Sequence, residues 1–341
     1  MGDAPFPLAA LGVRAGCQLS AEAAHPTSPV PHPSPATPVG ATISLLLAAL
    51  GFGSVVILTK LARDGGAPLA TILAWRYALA AAVLVGLSGG VRAVLLPPRR
   101  ALPILLLGGG GQASIAFLSL RALDYIPAAA IGFLFYTYPA WVALLAAVTG
   151  AERLTVARAA ALALSLAGIA LMVGAPGARA GAAALHPTGV ALALASALIY
   201  AVFIPMVNRL QRGTSPAVAS TYIVFGVALI ALAVGLPTHE ITVRLAPGVW
   251  GVIAALALFS TALAFIYFLR GLAVLGPVRT SIISTVEPFW TATAGMLVLG
   301  QPLRGSTLAG GAMIASAVLL LQWREGRAAV RPVTERETEA S

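Results

Sequence analysis

The sequence is poor in the side chains that most enzymes use for chemistry. Its 341 residues include one cysteine and four histidines, and only 9% are charged. A single cysteine, Cys17, excludes an intramolecular disulfide and a cysteine-based metal cluster. The histidines stand in tails or between apolar segments, which leaves no metal site or histidine base within those segments: His25, His32, His186 and His239. We therefore predict no resident metal, no cofactor and no enzymatic activity.

Long apolar segments fill most of the chain instead. Hydrophobic residues make up 59% of the sequence, and the mean hydropathy is +0.93. A helix that spans a bilayer needs about 20 mostly apolar residues. We predict an all-α polytopic membrane protein with ten transmembrane helices in the plasma (inner) membrane. The predicted spans are residues 43–62, 67–88, 102–120, 127–149, 156–175, 188–207, 216–236, 248–268, 277–299 and 305–323.

Four regions divide the chain. We expect a disordered N-terminal tail over 1–40, because this stretch is rich in Pro, Ala and Ser and has no helical period. Two five-helix repeats follow over 41–175 and 176–323, and a C-terminal tail covers 324–341. Basic residues are more frequent in the loops on the side of the two termini, fourteen against six, which places both tails in the cytoplasm. This topology accounts for the net charge of +10 without a nucleic-acid partner.

The two repeats are recognised by comparing the chain with itself at a shift of 149 residues. Arg121, Pro139 and Trp141 then fall on Arg270, Pro288 and Trp290 in one gapless register. Because each repeat has five predicted spans, an odd number, the second must enter the membrane from the opposite side. This predicts an inverted repeat, an architecture that places solute sites between its halves and supports alternating access.

One carboxylate lies deep within a predicted span. Glu287, followed by Pro288, is near the middle of 277–299, where a charge costs about 2.5–3.5 kcal/mol on insertion scales. At helical spacing Thr280, Ser284, Glu287 and Thr291 would share one face, which we interpret as the wall of a solute path. The alternative is a buried hydrogen bond that holds the helices together.

Arg76 is the matching cation in the second span. It is predicted at a similar depth to Glu287, so a charge pair or a shared polar cavity is one interpretation. The other is that its side chain extends to the outer membrane interface. Several aromatic residues lie in the predicted spans: Tyr136, Tyr138, Trp141, Phe289, Trp290, Tyr200 and Tyr267. One interpretation is that they line a cavity for an amphipathic solute. The other is that they serve in helix packing or at the membrane interfaces. Gln112 and Ser114 could add hydrogen bonds.

Two segments resemble a known family. YTYPAWVALLAAVTGAERL in the first half and STVEPFWTATAGMLVLGQPL in the second are similar to segments of EamA-type members of the drug/metabolite transporter superfamily. The resemblance covers about 43–323 and implies transport of small metabolites, often amino acids, through a central cavity. It places Glu287 and Pro288 at the family's glutamate-proline pair, Pro139 at the first-half proline and Glu152 at the glutamate after the fourth span. The sequence departs from the pattern at Gln301 and at Tyr138.

We therefore expect a secondary transporter or facilitator that exports amino-acid-like or amphipathic metabolites. Its partners would be the solute and the lipid bilayer, with a homodimer left open. A flippase for lipid-linked substrates or a non-transporting assembly subunit is the alternative. The predicted hinges are Pro139 and Pro288, and the predicted substrate or coupling residues are Glu287, Arg76, Tyr138, Trp141, Trp290, Thr291, Ser284 and Gln112.

Overall fold

The computed structural model describes residues 37–122, 124–126, 128–151, 154–174, 186–300 and 305–329. All regular structure in these ranges is helical. Six of the helical segments are long and apolar enough to cross a membrane, and three shorter apolar helices accompany them. The predicted N-terminal tail, apart from its last residues, and most of the predicted C-terminal tail lie outside the described ranges.

The described residues of the first half form eight helices. Helix α1 begins at a proline, whose missing N–H is no loss at a helix start, and the Thr37 hydroxyl accepts a hydrogen bond from the Gly40 N–H over 3.1 Å. A π-helical turn, Ile104–Gly109, joins α4 to α5. The helices are α1 Pro38–Asp64, α2 Leu69–Leu87, α3 Val91–Val94, α4 Pro98–Pro103, α5 Gly110–Ala122, α6 Ala128–Phe135, α7 Tyr138–Val148 and α8 Val156–Gly174.

The second half contains six helices and a second π-helical turn, Leu258–Leu263, between α11 and α12. They are α9 Pro187–Leu210, α10 Pro216–Gly235, α11 Pro247–Ala257, α12 Ala264–Ile283, α13 Val286–Leu299 and α14 Gly305–Ala329. Gly276 in α12 has a φ of 75°, a left-handed conformation that glycine adopts readily, and it marks a sharp kink. Helix α14 continues into the predicted C-terminal tail.

Helix starts follow the register of the sequence repeat. Pro38 begins α1 and Pro187 begins α9, while Pro98 begins α4 and Pro247 begins α11. Both pairs are separated by the same 149 residues that align the two halves of the sequence. In each half the third predicted span, 102–120 or 248–268, also contains a π-helical turn. Local structure therefore repeats along with the sequence.

Packing between the halves is reciprocal. Helix α1 packs on α12, and its counterpart α9 packs on α5; likewise α1 contacts α13, while α9 contacts α6 and α7. Helices α2 and α10 form one direct pair, and α8 and α14 form another. Each contact thus has an equivalent when the two repeats are exchanged, and the repeats interlock instead of folding as separate bundles.

The predicted single helix around Glu287 is interrupted. Helix α12 ends at Ile283 and α13 begins at Val286, so Thr280 and Ser284 do not continue the helix face of Glu287 and Thr291. The reason is Pro288, which has no N–H to donate to the Ser284 carbonyl. That carbonyl instead accepts the Glu287 N–H over 3.0 Å. Pro139 has the same effect in the first repeat, where α6 ends at Phe135 and α7 begins at Tyr138.

Candidate functional site

A cavity of about 540 Å³ lies between the two repeats. This volume is within the range of small-molecule sites. The wall comes from seven helices, α1, α2, α5, α6, α9, α12 and α13, together with Tyr136 at the break between α6 and α7, and eight of its residues are aromatic. The first repeat contributes Phe52, Val55, Val56, Arg76, Tyr77, Gln112, Ile115, Ala116, Ser119, Ile131, Gly132, Phe135 and Tyr136, and the second contributes Tyr200, Phe203, Phe265, Phe268, Glu287, Pro288 and Thr291.

Glu287 stands in the first turn of α13, against α1. A methyl group on Gly53 would lie 2.8 Å from the Glu287 carbonyl oxygen, so only glycine permits this approach. The Thr291 hydroxyl donates to the Gly53 carbonyl over 2.9 Å, and the Trp290 indole N–H donates to the Ser54 hydroxyl over 2.9 Å. Helix α1 therefore fixes the position of the carboxylate.

Tyrosines from both repeats face Glu287. The Tyr136 hydroxyl lies beside the Glu287 carboxylate, at the break between α6 and α7. The Tyr200 ring lies 4.7 Å from the Tyr138 ring and 5.4 Å from the Phe135 ring, measured between centroids. The carboxylate is thus surrounded by aromatic side chains with a phenol as its polar neighbour, which suits a solute that combines a cationic group with an apolar body.

Arg76 is buried, with 6% of its surface exposed, so its side chain does not extend to the membrane interface. Its Nε donates to the Thr261 hydroxyl over 2.7 Å, and its Nη2 donates to the Ser260 carbonyl over 3.4 Å. Its Cζ is 4.9 Å from the centroid of the Tyr77 ring. Among the described residues Arg76 and Glu287 form no ion pair, but both line the same cavity.

The other predicted site residues fall into two groups. Gln112, Pro288 and Thr291 line the cavity. The remaining five do not line it. Tyr138 and Ser284 are buried, Trp141 is 37% exposed and donates its N–H to the Thr137 hydroxyl, the Trp290 N–H donates to the Ser54 hydroxyl, and Pro139 lies in the first turn of α7.

Several residues with a clear structural role escaped sequence reasoning. Gly53 and Ser54 belong to the GFGS segment of α1, where closely spaced small residues in an apolar helix are a signal for helix contact. Thr261 holds Arg76, and no sequence signal marks it. The cavity aromatics Phe52, Phe265 and Phe268 are indistinguishable in sequence from lipid-facing residues.

The cavity is not central along the helix axes. We call the side on which α1 ends and α2 begins the Asp64 side, and the opposite one the Thr37 side. Arg76 lies in the first half of α2, Ser119 in the last turn of α5 and Ile131 in the first turn of α6, which all belong to the Asp64 side. Packed core residues occupy the Thr37 side: Leu45, Leu84, Ile104, Ala146, Val207 and Ile282.

A helical protein with several membrane-spanning segments, and with charged groups held in a cavity between two repeats, has the construction of a membrane transporter. The chain belongs to the EamA-like transporter family: residues 40–174 and 187–323 each match the family model. It is accordingly a multi-pass member of the drug/metabolite transporter superfamily.

Named relatives are similar over much of the chain. An aromatic amino acid exporter, YddG, of Ancylobacter novellus is 27% identical over 290 residues, which are 78% of this chain and 96% of the relative. An uncharacterized transporter of Archaeoglobus fulgidus is 29% identical over 206 residues, 60% of this chain and 71% of the relative. One solved crystal structure shares the fold with a TM-score of 0.72 and 23% identity, covering 85% of this chain and 99% of its own.

Proposed function

We propose that the protein exports small amphipathic metabolites by alternating access. The observation that carries the proposal is the cavity, because it is lined by both repeats, contains Arg76 and Glu287, and has packed core residues on its Thr37 side. Rocking the repeats against each other would close the Asp64 side and open the Thr37 side.

The proposed topology has ten spans in two inverted five-helix repeats. The reciprocal helix contacts and the matching proline starts support two equivalent units of five crossings each. Applied to this topology, the excess of basic residues places the Thr37 side in the cytoplasm. The structure then corresponds to the state accessible from outside, and the core cluster is the inner closure.

Glu287 is the proposed recognition or coupling group. A carboxylate among aromatic rings can bind an ammonium group or exchange a proton during the cycle. Two observations support an aromatic, amino-acid-like solute. The relative from Ancylobacter novellus is named an aromatic amino acid exporter, and eight aromatic residues line the cavity here. The charged groups face this inner cavity, which favours a soluble metabolite over a lipid-linked one.

The test is metabolite profiling of a bacterial host that expresses the wild type, Glu287→Gln, or Asp64→Asn. The last variant is the matched control, since Asp64 is an exposed carboxylate paired with Lys60 over 2.9 Å, and such pairs contribute little. We expect a compound enriched in the medium with the wild type and Asp64→Asn, and at least about tenfold less enriched with Glu287→Gln.

Two results would overturn the proposal. Equal enrichment in all three strains at equal protein levels would remove Glu287 from the path. No enrichment by the wild type, together with uptake of a labelled solute from the medium, would replace export by import.

A further inference from the structure

Arg76 is a buried cation whose place in the cavity the proposed cycle leaves unexplained. Charges inside membrane proteins face the interior or a cavity and are paired with an opposite charge or with backbone carbonyls. In the part of the chain that the structure describes, Arg76 has no ion pair; its hydrogen-bond partners, the Thr261 hydroxyl and the Ser260 carbonyl, are both neutral. A negative charge from elsewhere would complete the site.

The guanidinium is held in a fixed orientation. The Thr261 hydroxyl donates its proton to the Leu256 carbonyl over 2.9 Å, so its oxygen is left to accept from Arg76 Nε. Thr261 and Ser260 belong to the π turn Leu258–Leu263, a type of distortion common at functional sites. The Tyr77 ring, 4.9 Å away, covers the guanidinium plane. Both Arg76 and Tyr77 line the cavity.

A guanidinium has five N–H donors, and the two hydrogen bonds to Thr261 and Ser260 leave others for a ligand. A carboxylate is the anionic group that matches this planar arrangement with two parallel hydrogen bonds. We propose that Arg76 is the subsite for the carboxylate of the transported solute, held in place by Thr261. This inference rests on the proposed function and deepens it, since it assigns the carboxylate of the solute to a particular site, which that function leaves unassigned.

The cavity then has two poles. Arg76 takes the carboxylate, Glu287 takes the ammonium group, and aromatic residues of the same cavity wall, such as Phe52, Phe265 and Phe268, contact the apolar side chain. A zwitterion satisfies both charges at once. An amine without a carboxylate, or an acid without an amine, leaves one charge unpaired in the cavity and binds more weakly.

The experiment uses purified protein in liposomes and follows exchange of labelled phenylalanine against unlabelled competitors. Phenylalanine carries both groups, phenethylamine lacks the carboxylate, and 3-phenylpropionate lacks the ammonium group. For the wild type we expect phenylalanine to compete at least about tenfold more strongly than phenethylamine, the factor typical of one hydrogen-bonded charge.

Three variants locate the subsite. Arg76→Gln should weaken the binding of phenylalanine by about tenfold or more while leaving the binding of phenethylamine unchanged. Arg76→Lys keeps the positive charge but lacks the planar guanidinium that can form two parallel hydrogen bonds. It should therefore recover part of the affinity for phenylalanine. Thr261→Val removes the hydroxyl that orients Arg76. It should weaken the binding of phenylalanine by a smaller factor than Arg76→Gln does, again without effect on the binding of phenethylamine. Arg121→Gln, at an exposed arginine paired with Asp124, is the control and should match the wild type.

Each alternative outcome is decisive. Equal competition by phenylalanine and phenethylamine in the wild type overturns the inference. An equal loss for both compounds in Arg76→Gln and Thr261→Val shows a structural role and also overturns it. If metabolite profiling finds an exported amine but no carboxylate compound, this inference fails while the proposed export function stands. If the wild type transports no solute in either assay, the proposed function fails first.

Discussion

Thr137 and Thr285 occupy equivalent breaks in the two repeats and make the same bond. Each hydroxyl donates to the carbonyl oxygen three residues earlier, Leu134 for Thr137 and Ile282 for Thr285, and both distances are 2.6 Å. Each threonine lies just before the proline that interrupts its helix. The hydroxyl is a second donor to this carbonyl beside the N–H of the same threonine, at the point where the helical hydrogen-bond pattern is interrupted and lipid could offer no donor.

Replacing either threonine with valine removes that bond at nearly constant volume. We expect Thr285→Val to lower stability by about 0.5–1.5 kcal/mol, because the Ile282 carbonyl loses the hydroxyl and keeps only the Thr285 N–H, 3.1 Å away. Thr149→Val is the control, since the Thr149 hydroxyl also bonds a helix carbonyl, Leu145 over 2.7 Å, but at an exposed helix end. The measurement is the melting temperature of the purified protein in detergent. Similar decreases in melting temperature for Thr285→Val and Thr149→Val would contradict a special role of the Thr285 hydroxyl at the helix break.

Gly53 should be intolerant of any side chain. A methyl group there would come within 3.0 Å of Trp290 Cδ1 and the Thr291 hydroxyl as well as the Glu287 carbonyl. Gly53→Ala should cost about 1–3 kcal/mol through overpacking and displace the carboxylate, lowering transport more than expression. Gly110→Ala is the matched control, because nothing lies within 4 Å of the added methyl. Normal transport by Gly53→Ala at normal expression would show that α1 does not position Glu287.

The Tyr136 hydroxyl beside Glu287 is a third target. Tyr136→Phe keeps the ring in the cavity wall and removes only the polar neighbour of the carboxylate. We expect transport of a solute with an ammonium group to fall about tenfold or more, the effect of one hydrogen bond to a charged group. Tyr125→Phe, on an exposed turn, provides the comparison and should leave transport unchanged. A fall of equal size in both variants would place the effect outside the cavity.

Thiol labelling tests which side of the cavity is accessible. With Cys17, the only cysteine, replaced by serine, Ser119→Cys places a thiol in the cavity and Ser281→Cys places one in the closed core. A membrane-impermeant thiol reagent added outside intact cells should modify the first, more slowly when solute is present, and should not modify the second. The reverse pattern would invert both the proposed topology and the state of the transporter.

Much of this organisation is readable from the sequence, because it depends on composition and local spacing. Apolar segments of membrane-spanning length predicted an all-helical membrane protein, and two aligned proline motifs predicted two repeats of one family. The isolated Glu287 and Arg76 were identified as unusual because a charge in an apolar segment is costly wherever the segment packs. The two helix breaks also have a local cause, the missing N–H of Pro139 and Pro288, although the predicted spans 127–149 and 277–299 extend through both of them.

Tertiary structure decided which of these features share a site. Tyr138, Trp141 and Trp290 are as aromatic as Phe52 and Tyr200, yet only the last two line the cavity, since helix rotation and crossing are set by contacts between distant segments. The sequence presents Gly53 as one more glycine in an apolar helix, and Thr261 as one more hydroxyl. Their roles arise from partners 234 and 185 residues away, the Glu287 backbone and the Arg76 guanidinium, and such pairings leave no periodic signal along a single chain.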